Sequence, residues 1–176
     1  MMVESVTYSA LKKIGRVEVR RYPRLVLATV NGMDEDDAFT ILFNYISGQN
    51  ENRRRIAMTV PVVSAQKGEK IPMTAPVLSG SHSFSFVLPS SYTADSAPRP
   101  VDARTRIEEV RERRVAVLRF RGSTSSKHVE EKTHELLEAL KRNDLRPVGE
   151  PFLMRYNPPF IPGIFRRNEV GVELAG

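Results

Sequence analysis

Three histidines, no cysteine and 21 aspartates and glutamates are the reactive inventory of this chain of 176 residues. Without a thiol there is no cysteine nucleophile, disulfide scaffold, thiolate-bound zinc or iron–sulfur cluster. His128 and His134 stand six positions apart on an expected helix, not three or four, so they do not share a face as a chelating pair. His82 falls in a Gly/Ser turn. All three read as solvated side chains. Met58, Met73 and Met154 are soft donors for a metal in principle, but methionine at inward strand positions ordinarily packs the core. Glu18, Glu108, Glu109 and Glu169 lie on expected strands at positions compatible with solvent, and nothing pairs them as acid and base. There is no Gly-rich phosphate loop, no HExxH and no G-x-S-x-G. The expectation is a non-enzymatic chain that binds a ligand.

The composition, 40% hydrophobic and 27% charged, belongs to an ordinary globular protein, and the length suits one domain over 1–176. Net charge is +6, with a pI of 9.8. The basic surplus is scattered over 53–55, 111–114 and 166–167 rather than gathered into one stripe. That pattern reads as solvated turns, with no nucleic-acid partner. No apolar run approaches the ~18 residues of a membrane span, and the first residues lack a signal-peptide core. A cytoplasmic location with no membrane partner is therefore expected.

The elements that would position a site follow from periodicity. Residues 17–22 alternate apolar and polar as a half-buried strand, Tyr22-Pro23 breaks it, and 25–30 continue as a more buried one. A helix is expected over 34–47, capped by Asp34, with three acidic residues in its first turn and Gly48 past its end. Its apolar arc, about 200° at 100° per residue, is wider than the stripe a surface helix needs. Phe39, Phe43 and Ile46 form the surplus, which either packs under a second sheet segment or faces an apolar groove. Segments 56–63 and 71–78 agree at five of eight places and read as a hairpin. Strands over 84–88, 106–110, 115–121, 151–156 and 168–174, with a helix over 127–142, complete the pattern. A stiff loop over 157–165 carries Phe160, Ile161, Ile164 and Phe165. Two rounds of strand–helix–strand–strand, about 1–90 and 100–176, imply an α+β fold with an antiparallel sheet.

Several of these segments together resemble the SOUL/haem-binding protein family. They are VEVRRYP, GQNENRRRIAMTVPVV, IPMTAPVL, FSFVLPSSYT, RRVAVLRFRG and RYNPPFIPGIFRRNEVGVEL. They occur in the family's order and cover nearly the whole chain. The resemblance implies a distorted antiparallel β-barrel flanked by two helices, built from a duplicated βαββ unit as in effector-binding domains. It also implies haem, or a related tetrapyrrole, as ligand. In some animal members a histidine is the proposed iron ligand, and the matching position here is Arg21, which stays protonated and does not ligate iron. The basic helix residues that meet porphyrin propionates in other members have no counterparts here. What the resemblance leaves is a groove lined by Phe39, Phe43, Ile46, Phe160 and Ile164. Arg166 and Arg167, with Arg21 in addition, would edge it. Haem would be held there by burial, not as a tightly ligated prosthetic group. The alternative is a sensor or protein-interaction module that takes another small hydrophobic ligand.

Overall fold

A computed structural model describes residues 4–51, 68–158 and 160–176. Along the chain run β1 (Glu4–Ser5), β2 (Ser9–Ile14), β3 (Val17–Tyr22), β4 (Leu25–Asn31), α1 (Glu35–Ile46), β5 (Asn50–Glu51), β6 (Thr74–Ser79) and β7 (Ser83–Val87). The second half supplies β8 (Arg99–Pro100), β9 (Thr105–Val110), β10 (Arg113–Arg121), α2 (Ser126–Arg142), β11 (Pro147–Arg155) and β12 (Arg167–Leu174). Both helices start where capping chemistry places them. Asp34 accepts the backbone N–H of Asp37 at 3.0 Å, and Ser125 accepts that of His128 at 3.4 Å. At the far end of α1, Gly48 takes a φ of +118°, which an L side chain rarely adopts. Of the expected hairpin, 56–63 lie outside the described residues.

Strand order is β2-β3-β10-β12-β11-β6-β7-β4-β9, antiparallel throughout, with β1 adding a short parallel pair to β6. From β3 and from β9 inward, the order is the same in kind: a strand preceding each half, the strand before its helix, then the two strands after it. β3 crosses to pair with β10, and β9 crosses to pair with β4, so each half lends a strand to the other. β11 and β6 meet at the seam. The path is open among the described residues, and β2 and β9 are its edges. This corrects the expected barrel to a large open antiparallel sheet with two helices. Charges along both edges, Lys12 and Lys13 on β2 and Glu108 and Glu109 on β9, discourage further pairing there.

Both helices cover the same face. A cross-strand row runs Val17, Leu118, Val170, Leu153, Ser79, Phe84, Val30, and its apolar members lie under the helices. Helix α1 sets Ala38, Ile41, Leu42, Tyr45 and Ile46 on β4 and β7, while α2 sets Leu136 and Leu140 on β3, β10 and β12. On the opposite face of β12, Gly171 leaves room for its neighbours. A β-carbon there would stand 3.0 Å from Met154 Cε and 3.2 Å from both Phe152 Cζ and Val115 Cγ1.

Leu136 is wholly buried where α2 meets the sheet. Leu136→Ala is expected to cost about 2–5 kcal/mol, read as a lower urea midpoint with an unchanged slope.

Candidate functional site

Between α1, the start of α2 and the β11–β6 seam lies a groove of about 430 Å³, within the range of small-molecule sites. Phe39 and Phe84 form its apolar side with Met73, Ala75 and Val77. Phe39 packs edge-on against Phe86 at 5.4 Å, which fixes its ring. Tyr156, Asn157, Pro158 and Arg166, from the loop that follows β11, form the opposite wall. The rim carries charge of both signs. Arg155 donates to Glu35 Oε2 and to Ser79 Oγ, each at 2.7 Å, and Asp36 stands beside Glu35 on the first turn of α1. Arg166 donates through Nε to the carbonyl of Ile161 at 2.7 Å. Thr74, 3% exposed, lines the wall with a hydroxyl that has no partner among the described residues.

The structure brings Phe39 and Arg166 of the expected site to this groove and places the others elsewhere. Ile46 turns into the core under α1, because it follows Leu42 by one turn on the sheet-facing stripe. Phe43 stacks on Phe39 at 5.9 Å but is half exposed outside the groove. Phe160 and Ile164 project into solvent at 81% and 70% exposure, since the short 3₁₀ turn Gly163–Phe165 buries none of its side chains. Arg21 lies at the other end of β3, 3.8 Å from Glu112, in a charged cleft. Arg155 is the rim residue that sequence reasoning missed. Its place as the last residue of β11, just before the stiff loop, was the available signal.

No histidine lines the groove. The His128 ring packs on Phe120 at 5.2 Å with Nδ1 2.7 Å from the Ser123 carbonyl, and His82 sits in the turn before β7. Met154 is buried on the opposite face, with Tyr22, Val115 and Val117. Among the described residues no group of three His, Asp or Glu side chains is placed to hold a metal.

Beneath the Tyr156 wall, on the face away from the helices, lies a buried polar cluster. Glu169 was expected at a solvent position and is instead 0% exposed, because Tyr8, Tyr22 and Tyr156 close over this face of the sheet. Arg20, expected on a polar strand face, is 4% exposed for the same reason on β3. Arg20 donates to both oxygens of Glu169, at 2.7 and 3.0 Å, Arg167 donates to Oε1 at 2.8 Å, and Tyr156 donates to Oε2 at 2.7 Å. Arg20 also donates to the Tyr22 hydroxyl at 2.9 Å, and its guanidinium lies 4.0 Å from the centre of the Tyr8 ring. The Arg167 guanidinium lies 4.2 Å over Tyr156 in the same manner. So Arg167 is tied to this cluster rather than to the groove.

Burial alone would push the Glu169 carboxyl up, but the hydrogen bonds from Arg20 and Arg167 outweigh it and hold the group below the usual carboxylate range. Burial likewise raises Tyr156, and the adjacent Glu169 charge raises it further, so that hydroxyl remains a donor. Every lone-pair direction of the carboxylate is taken.

Residues 3–173 match the family model described as SOUL heme-binding protein. The chain belongs to that family. It is 33% identical over 164 residues to Heme-binding protein 2 of Homo sapiens, covering 89% of this chain and 77% of that protein. Identity to Heme-binding protein 2 of Mus musculus is also 33%, over 168 residues with the same coverage. Among solved structures, a hydrolase from Listeria innocua shares the fold at a TM-score of 0.58 and 11% identity, over 91% of this chain and 92% of that one. Membership in the SOUL family makes haem the cofactor to test against the groove. The lining offers a tetrapyrrole an apolar wall and two guanidiniums, and it supplies no imidazole for the iron.

Removing the Glu169 charge leaves two guanidiniums without their counter-ion. Glu169→Gln is expected to cost about 3–5 kcal/mol at neutral pH. Because the native carboxyl is held low, its contribution is complete above the unfolded-state value of about 4.3 and falls away as pH drops through the native value. The gap in thermal midpoint between wild type and Glu169→Gln should therefore narrow on acidification, followed by calorimetry across the acid range.

Proposed function

We propose that this SOUL-family chain is a non-enzymatic binder of haem or a related tetrapyrrole, held in the groove between α1 and the 156–166 loop without a histidine axial ligand. The carrying observation is the groove itself: an apolar wall of Phe39, Met73, Val77 and Phe84 facing Arg155 and Arg166. Burial of the macrocycle against that wall supplies affinity, and a guanidinium is suited to a propionate in bidentate geometry. Haem bound there would bring an iron centre with its redox chemistry, but the protein's own groups do the holding. A non-catalytic role is supported by Glu169, the fully buried carboxylate beside the groove, which is ionised and wholly committed to Arg20, Arg167 and Tyr156. It has no free lone pair with which to act as a base.

The exchange of strands between the halves, with β3 on β10 and β9 on β4, supports reading the chain as one domain built from a duplicated βαββ unit. On that reading the groove lies beside the pseudo-two-fold seam, where neither helix covers the sheet.

Titration with haem and with iron-free protoporphyrin, followed by absorbance, tests the proposal. Both should saturate with similar affinity, unchanged when His82, His128 and His134 are all replaced by alanine. Phe39→Asp should weaken both by about tenfold or more, because it sets a charge against the apolar wall. Binding of haem alone, lost with one histidine, would overturn the groove assignment. Failure of both would turn the reading to another small hydrophobic ligand.

A further inference from the structure

The loop that closes the groove does something unusual on its outer side. Phe160, Ile164 and Phe165 are 81%, 70% and 64% exposed, the largest cluster in sequence of exposed apolar side chains among the described residues. Such groups normally find a core, and a projecting trio of them marks a contact surface. Two prolines, Pro158 and Pro162, stiffen the loop around them, so little conformational freedom is lost on contact.

The strand beside the trio carries exposed cations. The turn Gly163–Phe165 lies against β10, and β10 ends there in Arg119 and Arg121. Both are exposed and neither has an ion-pair partner among the described residues. Arg121 stands directly opposite Arg167 across the β10–β12 pair, an unfavourable like-charge juxtaposition that an external anion would relieve. Arg166 follows the turn. From 113 to 125 and from 151 to 168 the sequence contains no aspartate or glutamate. Acidic groups in the neighbourhood are Glu169, which stands opposite Arg119 and is already neutralised by Arg20 and Arg167, Glu18, which pairs with Arg20, and Glu35 and Asp36 on the far rim of the groove.

From this arrangement we propose that the 157–166 loop docks on an anionic lipid surface, with Phe160, Ile164 and Phe165 entering the interface and Arg119 and Arg121 meeting the headgroups. A narrow projecting tip beside exposed positive charge matches a bilayer surface, which is soft, apolar below and anionic above. A protein partner would need a broader complementary area than this tip offers. Surface docking is a different matter from spanning: among the described residues no helix is long and apolar enough to cross a membrane. Because Asn157, Pro158 and Arg166 also line the groove, docking would bring the groove mouth to the lipid.

The chain contains no tryptophan, so Phe160→Trp introduces a single indole reporter. Mixed with vesicles of equal parts phosphatidylcholine and phosphatidylglycerol, that variant should shift its emission to the blue and be quenched by brominated acyl chains. Vesicles of phosphatidylcholine alone should give little response, and added salt should weaken the anionic binding. In co-sedimentation with the anionic vesicles, the triple variant Phe160→Ser, Ile164→Ser, Phe165→Ser should lose about tenfold in affinity, as should Arg119→Gln with Arg121→Gln. All five side chains are exposed, so matching thermal midpoints confirm that the variants fold. No binding to anionic vesicles overturns the proposal. Binding that leaves the indole in water also overturns it, because another basic segment would be responsible. Neither result depends on whether a tetrapyrrole occupies the groove.

Discussion

The interaction on which the rest depends is the ion pair of Arg20 with Glu169, sealed from water in the middle of the sheet. Two charges removed from solvent are tolerated only when their geometry is close and their remaining hydrogen-bonding capacity is filled. Here that requirement recruits a whole neighbourhood. Arg20 reaches across from β3, Arg167 folds back along β12, Tyr156 turns inward from the end of β11, and Tyr8 and Tyr22 enclose the guanidinium. The pair thus holds together β3, which crosses over from the first half, and β12, which belongs to the second. A hydrophobic pair of the same volume would hold these strands in contact but would not dictate which groups face each other.

The same pair reaches the candidate site through one side chain. Tyr156 presents its ring to the groove and its hydroxyl to Glu169, so the wall facing α1 is anchored from beneath. Across the groove, the Phe39 ring is fixed by Phe86. The rim is less rigidly determined, because the Arg155–Glu35 contact is partly exposed and a ligand carboxylate can compete with Glu35 for the guanidinium. The site therefore combines a pre-formed apolar wall with exchangeable charges. The loop that supplies one wall also projects Phe160, Ile164 and Phe165 outward, so ligand and surface would meet on opposite sides of one short segment.

Much of the fold was legible because its signals are local. A cap and an acidic first turn locate α1, an apolar stripe locates α2, each within a residue or two, and alternation locates β3. The exposed edge strand β2 escaped, since SALKKI buries almost nothing and gives periodicity nothing to report. Sheet order was not legible either: β9 and β10 adjoin in sequence yet lie at distant places in the sheet. The site was read in part. The wide apolar arc of α1 left two readings open, a second sheet segment or a groove, and periodicity does not separate its residues; Ile46 lies in the core and Phe39 lines the groove. Arg20 and Glu169 were misread for a related reason. Alternation marks them as the polar face of a strand, and only the folded chain shows that Tyr8, Tyr22 and Tyr156 close over that face.

The crossing strands carry a consequence for how the molecule assembles. Arg20 and Glu169 are 149 residues apart in sequence, and β12 slots between β10 and β11 rather than adding to an edge. Contacts that separate chain segments by such lengths form late, because the entropy of closing the loop must be met before they contribute. Neither half can complete its own sheet layer alone, as each lacks the strand lent by the other. Folding is therefore expected to be slow and cooperative, with the C-terminal strand as its keystone. Until it arrives, Arg20 stays solvated and the tyrosines that enclose it have no carboxylate to order around.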